Sequence, residues 1–190
     1  MIPNRERAEY VGTFRFIEVF LMETVARWVP TTPELDAKVL FGRHVWEFAQ
    51  NADALGRRTF ELRAQLHLTL APQPEYLHFL EHVSSMSATE DRLAALYSVV
   101  LPTMAERYRA YSSQVDAVMD EPTLRIIERI LQGYDRMAKE YQSHLSELPQ
   151  LRHPSPDLIQ QVRIEESATP RVLCGSLPKS TQAMAVGAAS

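Results

Sequence analysis

Apolar positions recur at intervals of three and four residues along most of the chain up to about residue 146, and no stretch shows a sustained period of two. This spacing is typical of helices that bury one face. The pattern therefore predicts four long helices and one short helix between the second and the third. Their predicted ranges are Arg5 to Trp28, Thr32 to Arg63, Glu75 to Val83, Ser87 or Thr89 to Met119, and Thr123 to Leu145.

Prolines and capping residues set the predicted helix ends. Pro30 is expected to stop the first helix, since proline removes a backbone donor and crowds the preceding turn. Thr32 is then a candidate cap for the second helix, with Pro33 in the first helical position. Pro102 predicts a kink in the third long helix. Asp120 is expected to cap the fourth.

The chain changes character after residue 146. No aromatic residue occurs from Gln142 to the end, and five prolines interrupt that segment. A short helix is possible around Pro156 to Arg163, and the remainder lacks the apolar pattern of a packed element. The predicted organisation is a helical bundle over 1–146 and a Pro-rich, mostly non-helical tail over 147–190.

Composition narrows the function classes. The 190 residues carry a net charge of −4, with acidic and basic residues interleaved and no basic stripe, so a nucleic-acid partner is not expected. The N-terminus has no signal-peptide core, and no apolar run approaches the ~18 residues of a membrane span. We therefore expect a cytoplasmic protein that does not enter the membrane. The one cysteine, Cys174, excludes an internal disulfide.

Several polar residues fall on the predicted buried faces. Glu18 lies in the middle of the first helix's apolar stripe, and His44 and Asn51 lie on the stripe of the second. A buried carboxyl is costly unless it is paired, so two readings stay open. Glu18 is either one polar residue bonded to a neighbouring side chain or part of a polar pocket inside the bundle.

Four long helices with a long crossover between the second and third resemble the ferritin-like superfamily of di-iron carboxylate proteins. In that family, two helices each supply a glutamate and the other two each supply a Glu-x-x-His pair. Register places Glu18 at one such glutamate. The other expected ligand positions carry different residues: Phe48, Asn51, Tyr108, Tyr134 and Met137. The resemblance therefore implies a ferritin-like antiparallel bundle with a degenerate metal site and no metal cofactor.

The favoured function is a metal-independent enzyme that acts on an apolar small molecule by isomerisation, cyclisation or dehydration. Glu18 and His44 are the predicted catalytic acid/base pair. The predicted substrate-binding residues are Phe14, Phe41, Phe48, Asn51, Tyr108, Tyr134 and Met137.

Two alternatives remain. The first is a non-heme di-iron oxygenase or oxidase with iron on atypical ligands, namely Glu18, His44, Glu47, Glu128 and Asp135. The second is a non-catalytic bundle that serves as an assembly partner or ligand carrier. A homodimer through the first two helices is also expected, because apolar residues remain outside their stripes. These residues are Phe16, Val19, Phe20, Val39, Val45 and Trp46.

Overall fold

The computed structural model describes residues 2–147 and 154–169, and these residues form helices with no β-strand. The predicted all-α class is therefore confirmed. The elements are α1 (Asn4–Thr31), α2 (Leu35–Glu61), α3 (Pro74–Ser85), α4 (Thr89–Ala95), a π turn (Leu96–Val100), α5 (Leu101–Gln114), α6 (Glu121–Glu147) and α7 (Pro156–Ser167). Within these residues, no helix combines the length and the apolar character that crossing a bilayer requires.

The long helices pack against one another in antiparallel pairs. Trp28 and Phe41, at the joined ends of α1 and α2, have ring centroids 5.5 Å apart. Arg58, near the end of α2, donates to the Thr123 hydroxyl at the start of α6 over 2.7 Å. α1 and α5 pack in the same antiparallel sense, as do α5 and α6, so α1, α2, α5 and α6 surround one interior.

The interior is the apolar face that the three-and-four spacing predicts. Val11, Ile17, Phe48 and Leu55 are fully buried in a single core cluster that all the long helices share. Burying a side chain of this size stabilises the fold by about 1.5–3 kcal/mol relative to leaving it in water. Most of the helical stability therefore comes from this shared face.

The junction between α1 and α2 differs from its prediction. Pro30 lies inside the last turn of α1, which continues to Thr31. A proline in the last turn removes only its own backbone hydrogen bond, so the helix can continue through it. α1 therefore ends slightly later than expected. The Thr32 hydroxyl donates to the Trp28 carbonyl oxygen over 2.8 Å, so it closes α1 rather than capping α2. Pro33 precedes α2 and is not its first residue.

The third long helix contains the π turn instead of a simple kink. The turn immediately precedes Pro102, which has no N–H and crowds the carbonyl of Ser98 four residues earlier. That carbonyl accepts a hydrogen bond from Arg163 of α7 over 3.4 Å. The helix also ends at Gln114, earlier than the predicted Met119, because the chain becomes extended at the next residue.

The described part of the predicted tail includes a helix that packs on the rest of the protein. α7 contacts α3, α4 and the π turn, and Val162 is fully buried there. The Ser155 amide donates to Asp91 over 2.7 Å, and His82 pairs with Glu165 at the same distance. Residues 154–169 are therefore part of the packed structure. α7 confirms the short helix expected around Pro156 to Arg163 and continues it to Ser167. Cys174 lies outside the described residues.

Candidate functional site

Three helices each bring one side chain to the carboxyl group of Glu18, which lies on α1. The Tyr108 and Tyr134 hydroxyls both donate to Oε1, each over 2.7 Å. Asn51 Nδ2 donates to Oε2 over 3.1 Å. The polar stripe residues of α1, α2, α5 and α6 therefore meet at one level, which helical periodicity alone could not establish.

The Glu18 site is buried and has no cationic partner. The Glu18 side chain has no exposed surface, and it forms no ion pair within the described residues. Burial raises its pKa from 4.5 to about 7, while the three hydrogen bonds from Tyr108, Tyr134 and Asn51 oppose that rise. The carboxyl therefore has both an acid form and a base form available near neutral pH.

The two phenols remain hydrogen-bond donors throughout this range. Burial raises the pKa of Tyr108 and of Tyr134 well above the usual value for tyrosine, and the nearby Glu18 carboxylate adds to the shift. Because neither phenol ionises near pH 7, both keep stabilising negative charge on Oε1. Such an arrangement holds charge on one carboxylate oxygen and leaves the other with a single amide donor.

Apolar side chains enclose this group. The Phe14 ring lies 4.5 Å from the Tyr108 ring between centroids, and Phe48 lies edge-on to Tyr134 at 6.4 Å. Met137 is buried in the same core cluster. Among the apolar residues predicted to bind substrate, Phe41 lies elsewhere. It packs on Trp28, ten residues or about 15 Å along α2 from Asn51.

His44 is not joined to Glu18. Its Nδ1 contacts the Tyr97 hydroxyl, and its Nε2 lies 3.2 Å from Glu140 Oε2. His44 precedes Asn51 by seven residues, or about 10 Å along the helix axis. The structure thus separates the predicted acid/base pair into two sites, because two turns of α2 lie between them.

The contacts of His44 fit a neutral imidazole. Nε2–H donates to the Glu140 carboxylate, and Nδ1 accepts from the Tyr97 hydroxyl. Burial lowers the pKa of His44, and the hydrogen bond that His44 donates to Glu140 works in the opposite direction. Sequence reasoning did not single out either partner. In the sequence, Tyr97 is one of the regularly spaced apolar positions of the third long helix, and Glu140 lies at the polar edge of α6.

The residues proposed for an atypical metal site are dispersed. Glu47 pairs with Arg136 over 2.7 Å, and Glu128 and Asp135 are exposed on α6. No group of three or more His, Cys, Asp or Glu side chains within the described residues is placed to hold a metal ion. Around Glu18 the donors are one amide and two phenols. This set does not fit a two-metal centre, which requires several carboxylates and imidazoles.

A groove between α2 and α6 holds two clefts. The Asn51 cleft has a volume of about 250 Å³ and is lined by Glu47, Gln50, Asn51, Arg129, Gln132 and Arg136. The His144 cleft, of about 460 Å³, lies nearer the start of α2, where its lining includes Val39, Leu40, Arg43, Lys139, Glu140 and His144. Arg136 borders both. Asn51 therefore connects the surface of the groove with the buried Glu18 carboxyl.

No protein-family model, curated protein or solved structure matches this chain. The functional argument therefore rests on the geometry of the two sites.

Proposed function

We propose that the protein is a metal-independent enzyme that uses Glu18 as a general acid and base on a small molecule. The observation that carries the proposal is the Glu18 carboxyl itself, which is fully buried and, among the described residues, bonded to neutral groups. Burial raises its pKa to about 7. A general acid or base works best when its pKa lies near the operating pH. Buried carboxyls with raised pKa values serve this purpose in known enzymes.

The two carboxyl oxygens have different partners and suit different roles. Oε1 accepts from both phenols and so holds negative charge. Oε2 has only the Asn51 amide and is the oxygen that would exchange a proton with a substrate. In an isomerisation, Oε2 removes a proton from the carbon next to a carbonyl, the double bond shifts, and the same proton returns at another carbon. The Asn51 amide would then donate to the carbonyl oxygen as negative charge develops there.

We propose that the substrate approaches through the Asn51 cleft. Asn51 lines this cleft and also bonds Oε2, so a change in its side-chain rotamer would open a path to the carboxyl. Phe14 and Phe48 would contact the apolar part of the substrate. His44 lies two turns away, so its predicted pairing with Glu18 is replaced here by Asn51.

We also propose a ferritin-like arrangement, with residues 62–88 crossing from α2 to α4. Antiparallel packing of α1 with α2 and of α5 with α6 supports it, because α2 and α5 then run in the same direction. Under this proposal Tyr108, Tyr134 and Asn51 occupy former ligand positions. Their hydrogen bonds would replace the metal as the stabilising partner of Glu18.

The first test measures proton transfer from carbon. In one assay the protein is incubated with 3-cyclohexenone, and ultraviolet absorbance measures isomerisation to the conjugated 2-enone. In the other it is incubated with cyclohexanone in D₂O, and mass spectrometry measures deuterium incorporation. We expect catalysis by the unmodified protein and a loss of about 10²-fold or more in Glu18→Gln, in line with the usual contribution of a general base.

Glu128→Gln is the matched control, since Glu128 is exposed on α6 and its substitution removes the same charge as Glu18→Gln. It should keep the full rate. Equal rates in the unmodified protein and Glu18→Gln would refute the proposal. The proposal would also fail if the protein transformed 3-cyclohexenone and cyclohexanone no faster than buffer alone.

A second proposal concerns self-association through the outward face of α2. Leu35, Val39, Trp46 and Phe60 are 71%, 46%, 66% and 64% exposed, and their spacing places them on one side of the helix. In contrast, Phe16 and Phe20 of α1 are half-buried against the core. We therefore propose a homodimer in which α2 supplies most of the contact and α1 little.

Sedimentation velocity tests this dimer. Trp46→Gln should shift the protein towards monomer, because a large central aromatic residue contributes strongly to an interface. Ile164→Gln is the control, since Ile164 is 58% exposed and lies on α7, which packs on α3, α4 and the π turn. A monomeric unmodified protein, or equal weakening by both substitutions, would exclude an α2 dimer.

A further inference from the structure

His144 lines the His144 cleft and has a buried imidazole nitrogen that finds no hydrogen-bond partner among the described residues. His144 is 8% exposed, and the nitrogen is Nε2. A buried polar atom left unpaired costs free energy, so such atoms often mark a place where another molecule completes the bond. His144 follows Glu140 by one turn of α6, so this atom lies beside the partner of His44.

Cationic side chains predominate around the same cleft. Arg43 from α2 and Lys139 and Arg136 from α6 contribute to its lining, together with the acidic Asp36 and Glu140.

The cationic side chains of the cleft differ in how strongly they are paired with carboxylates. Arg136 is paired with Glu47 at 2.7 Å, whereas Arg43 lies 3.7 Å from Glu140 and has a side chain that is 66% exposed. Lys139 is exposed and forms no ion pair within the described part of the chain. Arg43 and Lys139 therefore remain able to bind an added anion.

The floor of the cleft is apolar on the α2 side. Val39 is 46% exposed and Leu40 is buried next to it. A ligand that fits both features has a negatively charged end for the cations and an apolar body for Val39. The cleft volume of about 460 Å³ is within the range of small-molecule sites.

We propose that the His144 cleft binds a small carboxylate with a short apolar body. The carboxylate would accept hydrogen bonds from Lys139, Arg43 and the His144 imidazole, while the apolar body covers Val39 and Leu40. This inference concerns a site separate from Glu18 and does not depend on the catalytic proposal. Binding would also draw Arg43 away from Glu140, the carboxylate that holds His44.

The experiment uses hexanoate, hexan-1-ol and inorganic phosphate as probes of the full-length protein. Calorimetry measures affinity, and long-range ¹H–¹⁵N NMR of the imidazoles reports which histidine responds. His144→Gln identifies the His144 resonance. We expect saturable binding of hexanoate with a shift of that resonance. Hexanol should bind at least about ten-fold more weakly, since it lacks the charge that the cations recognise.

Lys139→Gln and Arg43→Gln should each weaken hexanoate binding by about five- to ten-fold, as expected for one lost charge-assisted hydrogen bond. Arg57→Gln is the matched control. Arg57 is an exposed arginine of α2 that pairs with Asp53 and is absent from the cleft lining. Because Lys139 and Arg43 are exposed, these variants test the site even if His144→Gln does not fold.

Several results would overturn the proposal. One is an absence of saturable hexanoate binding. Another is equal weakening by Arg57→Gln and Lys139→Gln, which would indicate only a general charge effect. Equal affinity for phosphate and hexanoate would contradict the apolar half of the proposal, and equal affinity for hexanol and hexanoate would contradict the anionic half.

Discussion

Two buried carboxyl groups in this protein have opposite surroundings. Asp120 and Glu18 each have no exposed surface, and each accepts a tyrosine hydroxyl. Asp120 also lies 2.9 Å from Arg58 and 3.5 Å from Arg7, so its charge is compensated. Within the part of the chain that the structure describes, the partners of Glu18 are all neutral, and burial raises its pKa to about 7.

The comparison shows that burial alone does not determine the role of a carboxyl. A buried carboxylate that faces guanidinium groups holds structure together, here by joining α1, α2 and the start of α6. A buried carboxyl that faces phenols and an amide retains a proton that it can exchange near neutral pH. Three experiments test this distinction, beginning with the largest expected effect.

Asp120→Ala should lower the free energy of unfolding by about 3–5 kcal/mol, because it removes the buried anion that Arg58 and the half-buried Arg7 share and leaves Arg58 with the exposed Glu61. The Arg58 side chain is only 7% exposed, so water cannot replace the lost partner well. Urea unfolding followed by circular dichroism at 222 nm measures the loss.

Asp53→Ala provides the matched control. Asp53 pairs with Arg57 over 2.9 Å, but both side chains are largely exposed at the surface of α2. Such a pair contributes below about 1 kcal/mol. Similar losses for the two variants would mean that Asp120 is not the structural anion described above.

Glu18→Gln should change how stability depends on pH. The folded protein binds more protons than the unfolded chain between pH 4.5 and about 7, because the pKa of Glu18 is raised on folding. The free energy of unfolding therefore falls as pH rises through this interval, by about 3 kcal/mol. Glu18→Gln removes this loss, so its stability relative to the unmodified protein should increase from pH 5 to pH 8.

The measurement is urea unfolding of both proteins at pH 5 and pH 8, with the difference between proteins compared at each pH. Other titrating groups are common to the two proteins and cancel in this comparison. A relative stability that stays constant with pH would show that Glu18 titrates as an ordinary carboxyl. That result would also remove the main support for its proposed role as an acid and base.

The fold was largely predictable, but the internal geometry was not. Apolar spacing predicts the all-α class and the approximate helices because it reports the buried face directly. It does not fix the height of one helix relative to another, so it could not pair Glu18 with Asn51 or separate it from His44. Near Pro102, the Ser98 carbonyl at the π turn accepts its hydrogen bond from Arg163 of α7. Local sequence does not encode this contact between distant helices.

The same limit explains the missed partners of His44. By its spacing, Tyr97 is predicted to be a core aromatic residue, and Glu140 is predicted to lie at the solvated edge of α6. Each prediction is reasonable for its own helix. Their meeting depends on the packing of three helices. In contrast, Glu18 was detectable from the sequence because a carboxyl in the middle of an apolar stripe conflicts with its surroundings.

The smallest predicted effect compares the tyrosines of the two sites. Tyr134→Phe removes a 2.7 Å bond to Glu18, and Tyr111→Phe removes a 2.5 Å bond to Asp120. A hydrogen bond to a neutral group contributes about 1 kcal/mol and one to a charged group about 2 kcal/mol. Tyr134→Phe should therefore cost more at pH 8, where Glu18 is ionised, than at pH 5. It should also raise the pKa of Glu18, since one donor to the carboxylate is gone.

Tyr111→Phe should cost the same at both pH values, because Asp120 keeps its two guanidinium partners. Urea unfolding at pH 5 and pH 8 gives the stabilities, and ¹³C NMR of the glutamate side chains follows the titration of Glu18. An equal pH response in the two variants would contradict the contrast between these sites. If only Tyr134→Phe responds to pH, the phenols control the charge on Glu18, whereas Asp120 serves as the ion-pair partner of Arg58 and Arg7.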